Sequence, residues 1–256
     1  MKKITASLTA LAVCLALIFS LIHVNASNRD DAPSDAAYAN FRNVKSGTIG
    51  KNNLYRSVHP ASSSKRAAYA NQLAKDNGVR TVLNLADNRV DLEKRFISNN
   101  IGLSYYYRSL YKKGQVYSVR ISTSGYNNSH SRRQFVTGLK FFAKNKGPYL
   151  VHCEIGRDRT GFVIMLLECL MEAPYSYMLE DFTKSDINLY QNSYSESKKK
   201  AVKRLKRDLS YLTGKSKETD WSKIRLSAYA EKYLKAGGMS AAEISALSKN
   251  LSISYR

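Results

Sequence analysis

Gly147-Pro148-Tyr149-Leu150-Val151-His152-Cys153-Glu154-Ile155-Gly156-Arg157-Asp158-Arg159-Thr160-Gly161 decides how the rest of this chain is read. The apolar run Gly147 to Val151 predicts a buried strand, and the run Phe162 to Leu170 predicts a buried helix. The connection between them is a tight loop. A strand, a tight loop and a helix in that order make a backbone anion site, because the unpaired N–H groups at a helix start and the helix dipole both favour negative charge. Cys153 stands at that positive end, where the thiolate, the nucleophilic form of cysteine, is favoured. Arg159 follows six positions later, so a loop wrapped around an anion can lay its planar fork on two phosphoryl oxygens, a contact Lys cannot copy. Thr160 can donate its hydroxyl to the sulfur, and His152 can orient the loop through hydrogen bonds. The amides of Glu154, Ile155, Gly156, Arg157, Asp158 and Arg159 would form the cradle. A buried cysteine acting only as a small hydrophobe would not call for three charged residues beside it.

The His-Cys, five residues, Arg, Thr pattern resembles the catalytic loop of the cysteine-dependent phosphatases. Its Gly-basic-Asp-Arg-Thr-Gly ending resembles that of bacterial tyrosine and phosphoinositide phosphatases. Flanking stretches resemble the same family: Phe41-Arg42-Asn43 and Asn53-Leu54-Tyr55-Arg56-Ser57 upstream, Val82 to Asp87 as a first core strand and its loop, and Leu179-Glu180-Asp181-Phe182 after the catalytic helix. Tyr229 to Leu234 and Gly237 to Ser240 resemble its C-terminal helices, so most of residues 40 to 251 is covered. The resemblance implies an α/β fold with a tyrosine-phosphatase-like central sheet, flanking helices and extra C-terminal helices. It also implies hydrolysis of phosphate monoesters through a phosphocysteine, with no cofactor and no metal. Phosphotyrosine is the first expected substrate, and phosphoinositides or inositol phosphates are the alternative.

Two features depart from a simple reading of the loop. Many phosphoinositide-acting relatives carry Lys where this chain has Arg157, which keeps the charge and changes the reach. Glu154 sets a carboxylate beside an anion site, which is repulsive unless it points outward or pairs with a cation such as Arg157; an outward orientation is expected. The general acid is open between two aspartates. In the family the loop aspartate, here Asp158, often has that role, whereas Asp87 would come from a neighbouring loop after a core strand. An ion pair with a neighbouring arginine would be the plain reading of Asp158, and a turn cap that of Asp87.

The N-terminus reads as a secretory signal over residues 1–26. Lys2 and Lys3 are its basic start, Leu8 to Ile22 its apolar body, and Val24-Asn25-Ala26 its small-residue exit. The apolar run is short for a spanning helix, so cleavage after Ala26, a secreted product and no stable membrane span are expected. Residues 27–39 are polar and aperiodic and read as a flexible leader; residues 40–256 suffice for one core and are few for two. After processing, Cys153 and Cys169 remain; Cys169 lies in the apolar helix, too far along it to bridge Cys153.

Further elements follow from pattern. Val79 to Leu85 and Leu103 to Tyr107 read as strands, Ser131 to Lys144 as a helix, and Tyr149 to His152 as the strand that feeds the loop. Such α/β alternation puts ligands at the carboxyl ends of the strands. The C-terminal third turns helical, with residues 186–256 a possible lid; Val202, Leu205, Leu209 and Leu212 share an apolar face, and Ser240 with Glu243 forms a capping box. The net charge of +21 is densest at Lys198 to Arg207, which reads as a solvated face or a basic rim that steers polyanions, an anionic surface among them. Nothing resembles a nucleic-acid reading motif. A module that only binds anions, with no catalysis, is the alternative of another class, and the presence of Cys153, Arg159 and Thr160 argues against it.

Overall fold

A computed structural model describes residues 28–98, 104–122 and 128–256. The secretory signal read over residues 1–26 lies outside the described residues. No helix among the described residues is long and apolar enough to cross a membrane.

A five-stranded sheet organises the fold: β1 (Arg42–Asn43), β2 (Leu54–Ser57), β3 (Thr81–Asn84), β4 (Val116–Ser118) and β5 (Tyr149–His152). Their spatial order is β1-β2-β5-β3-β4, with β1 antiparallel and the other four parallel. β5 is therefore central, with Leu150 opposite Tyr55 on one side and Val82 on the other. Its four residues are all buried, as a strand with neighbours on both sides and helices over both faces requires. The strand expected at Val79 to Leu85 is β3, two residues shorter at the start and one at the end. At their carboxyl ends β2, β3 and β5 stop side by side, since His152 pairs with both Ser57 and Asn84.

Ten α-helices surround the sheet among the described residues: α1 (Asp35–Tyr38), α2 (Arg66–Asp76), α3 (Arg89–Ser98), α4 (Tyr105–Lys112), α5 (Ser129–Lys144), α6 (Asp158–Leu170), α7 (Tyr175–Tyr190), α8 (Tyr194–Thr213), α9 (Leu226–Ala236) and α10 (Ala241–Leu251). α6 is the axis of the molecule. Every residue from Arg159 to Leu170 is buried, which explains why that stretch is apolar all round rather than amphipathic. One core joins α6 to β5 and to α5, α8, α9 and α10 through Phe135, Leu139, Leu205, Leu209, Tyr233 and Leu247. A second cluster under the other face gathers α2 to α4 around Val82, Leu92 and Tyr107.

Two expectations need correction here. Leu103 to Tyr107 is not a strand: Tyr105–Lys112 is α4, and residues 101–103 lie outside the described ones. Its aromatic run resembles a strand locally, yet Tyr107 and Leu110 recur at helical spacing and are the buried pair. The stretch read as a flexible leader carries a 3₁₀ turn at Arg29–Asp31 and α1, capped by Ser34; Tyr38 and Ala39 are already buried, with Tyr38 edge-on to Tyr69 at 5.3 Å. Local polarity hid this order, because Tyr38 finds its partners in α2. The helices of residues 186–256, read as a possible lid, contribute Leu205, Leu209, Leu234 and Leu247 to the main core, and the Ser240–Glu243 capping box is present.

Candidate active site

The loop from Cys153 to Arg157 joins β5 to α6 at the carboxyl end of the sheet. Its shape follows from one backbone position: Gly156 has φ +69°, and a Cβ there would lie 2.1 Å from the Ser57 carbonyl oxygen. Only glycine fits so close to β2 at that angle.

The loop carbonyls are all turned out and held. The Glu154 carbonyl accepts from the His59 amide at 3.0 Å. The Ile155 carbonyl accepts from Asn40 Nδ2 at 3.3 Å, and the Gly156 carbonyl accepts from Asn40 Nδ2 at 3.2 Å and Arg56 Nη2 at 2.7 Å. Arg56 Nη2 also reaches the Arg157 carbonyl at 3.3 Å. With each carbonyl fixed outward, the amides face the other way. From Glu154 to Arg159 no backbone N–H donates to a protein acceptor among the described residues. Six consecutive donors without a protein partner, at the start of a helix, form an anion cradle.

Cys153 is 2 % exposed at the base of this cradle and is a free thiol, as is buried Cys169, which contacts Met178 sulfur instead. Arg159 is held from behind: its Nη1 donates to the Leu85 carbonyl at 2.9 Å and the Ile121 carbonyl at 3.1 Å. Those bonds aim the guanidinium and leave its remaining donors for a ligand. The Thr160 hydroxyl is buried in α6 without a hydrogen-bond partner. His152 lies under the loop with its ring fixed at both nitrogens. Tyr107 Oη is 2.8 Å from Nε2, and the Cys153 carbonyl is 3.2 Å from Nδ1. Burial pushes the imidazole well below its usual range and the Tyr107 phenol well above its own. A neutral ring that donates from Nδ1 to the carbonyl and accepts from the phenol at Nε2 satisfies both bonds.

The two candidate aspartates differ sharply. Asp87 is 3 % exposed and its oxygens are taken: Oδ2 by His59 Nε2 at 2.6 Å and Asn84 Nδ2 at 3.1 Å, Oδ1 by Arg95 Nε at 2.9 Å. Burial alone would raise its pKa, but the bonds from His59, Asn84 and Arg95 outweigh it and hold the carboxyl well below the usual carboxylate range. The Ala61 amide donates to His59 Nδ1 at 2.9 Å, so the proton of that ring is on Nε2 and points at Asp87. A carboxylate so saturated has no proton to give. Asp158, at the first turn of α6, keeps its side chain about a third exposed beside the cradle. Arg157 Nε approaches both its oxygens, at 3.1 and 3.2 Å, and Arg204 Nε is 3.9 Å from Oδ1.

Glu154 does turn away from the cradle, but its partner is Arg95 of α3, at 2.6 Å, rather than Arg157. Arg157 instead engages Asp158, Tyr190 Oη at 2.6 Å and buried Asp186 at 3.7 Å. Arg204 is another departure. The basic run reads as a solvated face or a basic rim, yet its Arg204 turns inward to Asp186 Oδ2 at 2.7 Å.

Several residues that hold the site lie outside the loop. Arg56, fully buried in β2, and Arg42 of β1 share Asp181 of α7; Arg42 meets it at 2.6 Å and Arg56 more closely still. Burial draws Arg42 down to about 10 against the pull of Asp181. These are the charged members of the flanking motifs, and their oddity is legible: an arginine in a fully buried strand such as β2 needs a carboxylate and carbonyls to satisfy it. Asn40, His59, Arg95 and Tyr107 had no such marker.

A buried thiol beside six amides without protein acceptors, a backbone-anchored guanidinium and an accessible carboxylate are the kinds of parts that can cleave a phosphate ester. Among curated proteins no relative matches. A model of the tyrosine phosphatase family matches residues 37–253, and the chain therefore belongs to the tyrosine phosphatase family, a phosphoric monoester hydrolase of that type.

Proposed function

We propose that this phosphatase works through a phosphocysteine and acts on phosphotyrosine. In the first step the Cys153 thiolate attacks phosphorus. The S–P bond forms, the P–O ester bond breaks, and Asp158 gives its proton to the departing oxygen. In the second, a water oxygen attacks the phosphocysteine, its proton passes to the Asp158 carboxylate, the S–P bond breaks, and inorganic phosphate leaves. Arg159 and the loop amides hold the three non-bridging oxygens through both steps. His152 holds the Cys153 carbonyl, the Thr160 hydroxyl is left to donate to the sulfur as it departs, and Arg157 and Asp158 stand where the leaving group departs. The observation that carries this reading is the run of six amides left without acceptors around Cys153.

A second reading has a specific observation behind it. Arg157 and Arg204 converge on Asp158 beside the loop, and two cations there suit a ligand with further phosphates, such as an inositol phosphate or phosphoinositide headgroup. We also propose that residues 1–26 direct export and are removed. An anionic surface is a fitting partner for the exposed cations Lys198, Lys199 and Lys203.

The test is a substrate panel of phosphotyrosine peptide, phosphoinositide vesicles and phytate, run with the wild type and Cys153→Ser. Phosphotyrosine hydrolysis is expected to lead the panel and to fall by about 10⁴-fold or more in the variant. Equal rates for both proteins would overturn the phosphocysteine, no hydrolysis by either would leave an anion-binding module, and faster release from phosphoinositides would favour the second reading.

A further inference from the structure

Glu154 is the residue a phosphate-binding loop should not have. It follows Cys153 directly, its amide is the first of the cradle, and its side chain brings a negative charge to a site built for anions. The structure surrounds it with a closed circuit. The His59 amide donates to the Glu154 carbonyl at 3.0 Å, and the His59 ring bonds Asp87 at 2.6 Å. Asp87 accepts from Arg95 Nε at 2.9 Å, and Arg95 returns to the Glu154 carboxylate through Nη2 at 2.6 Å, with Nη1 at 3.4 Å. Four segments take part: the end of β2, the end of β3, α3 and the loop itself. His59 and Asp87 are buried, so this part of the ring is rigid, while Arg95 and Glu154 are partly exposed.

We propose that Arg95 is a positioning residue of the phosphatase. It closes a ring through His59, Asp87 and Glu154 that fixes the peptide carrying the Ile155 amide of the cradle and cancels the Glu154 charge at the phosphoryl site. The inference rests on the loop being a phosphoryl site, as proposed above. Arg95 suits the task because its fork uses Nε for one carboxylate and its two terminal nitrogens for the other, which a lysine cannot do. The ring also explains why Glu154 is tolerated: its charge faces a guanidinium, and its carbonyl is pinned so that the adjoining amide stays turned inward. Arg95 acts through Glu154 and not on the substrate. Its loss should therefore appear chiefly in binding of the dianion.

The experiment measures inorganic phosphate binding, by calorimetric titration and as competitive inhibition, in the full-length enzyme and in Arg95→Met, Glu154→Gln and the double variant. Arg95→Met is expected to weaken phosphate binding and raise KM by roughly five- to tenfold, with a smaller change in kcat, and added salt should narrow the gap. The double variant is expected to recover most of that loss, because removing the carboxylate removes what Arg95 cancels. Unchanged phosphate affinity in Arg95→Met, or a double variant as weak as the single one, would overturn the proposal. Should Arg95→Met fail to fold by circular dichroism, Arg95→Lys takes its place: adding Glu154→Gln is again expected to restore phosphate binding, and no recovery would again overturn the proposal. If no variant and no wild type binds phosphate, it is the reading of the loop that fails.

Discussion

At the scale of single residues, chemistry is assigned by what each side chain has left to give. Asp87 and Asp158 are both candidate acids in the sequence, one after a core strand, where a turn cap is the plainer reading, and one inside the loop, where the family resemblance puts the acid. In the fold Asp87 is buried with three donors on its two oxygens and held ionised, whereas Asp158 is accessible beside the cradle. The consequence is measurable in how rate depends on the leaving group. Asp158→Asn is expected to slow hydrolysis of phosphotyrosine or phenyl phosphate by about 10²–10⁴-fold and to spare substrates whose leaving group needs no proton, such as an activated aryl phosphate. Asp87→Asn is expected instead to cost about 2–4 kcal/mol in denaturant unfolding, with the same fractional loss for both substrate types. A leaving-group-dependent loss in Asp87→Asn, and none in Asp158→Asn, would exchange their roles.

At the scale of elements, α6 does two jobs. Its start completes the anion cradle, and its body, buried over twelve successive residues, fills the core. Glu168 on its last turns is the cost of linking the two. It is 1 % exposed, and burial, aided by the charge of Asp181, raises its carboxyl well above the usual range despite Arg56 and Arg42. The native state then holds a proton that the unfolded chain, titrating near 4.5, releases. Stability from this group is full below pH 4.5 and is lost as pH rises towards its folded value. Glu168→Gln copies the neutral acid, so the variant should match the wild type at about pH 4.5 to 5 and exceed it by about 1–2 kcal/mol at about pH 8. A stability difference that does not change with pH would show Glu168 to be ionised in the fold. The helices α5 and α8 were readable because each buries one face at helical period, and α6 and β5 because each is a continuous apolar run buried on all sides. α4 was not, since three adjacent tyrosines read locally as a strand, and only burial of Tyr107 and Leu110 on one face shows the helical period. The nucleophile, its arginine and the bend at Gly156 were legible because they sit within one short stretch. Asn40, His59 and Arg95 were not, because each acts on the loop from more than fifty residues away in sequence.

On the scale of the whole molecule, the sheet order makes the site. Placing β5 between β2 and β3 lets the loop after β2 pin the Glu154 carbonyl and the loop after β3 anchor Arg159, while β1, β2 and α7 supply the Arg42, Arg56 and Asp181 brace behind it. The C-terminal helices close the core around α6. All of this scaffold converges on one sulfur in a ring of amides, and the proposed chemistry stands on that sulfur carrying the phosphoryl group. The most direct measurement is mass spectrometry of enzyme quenched in acid during turnover of an aryl phosphate. The mass of one phosphoryl group is expected on the peptide that contains Cys153, and none in Cys153→Ser; a phosphoryl group found on another residue, or none trapped while Cys153→Ser still turns over, would contradict it.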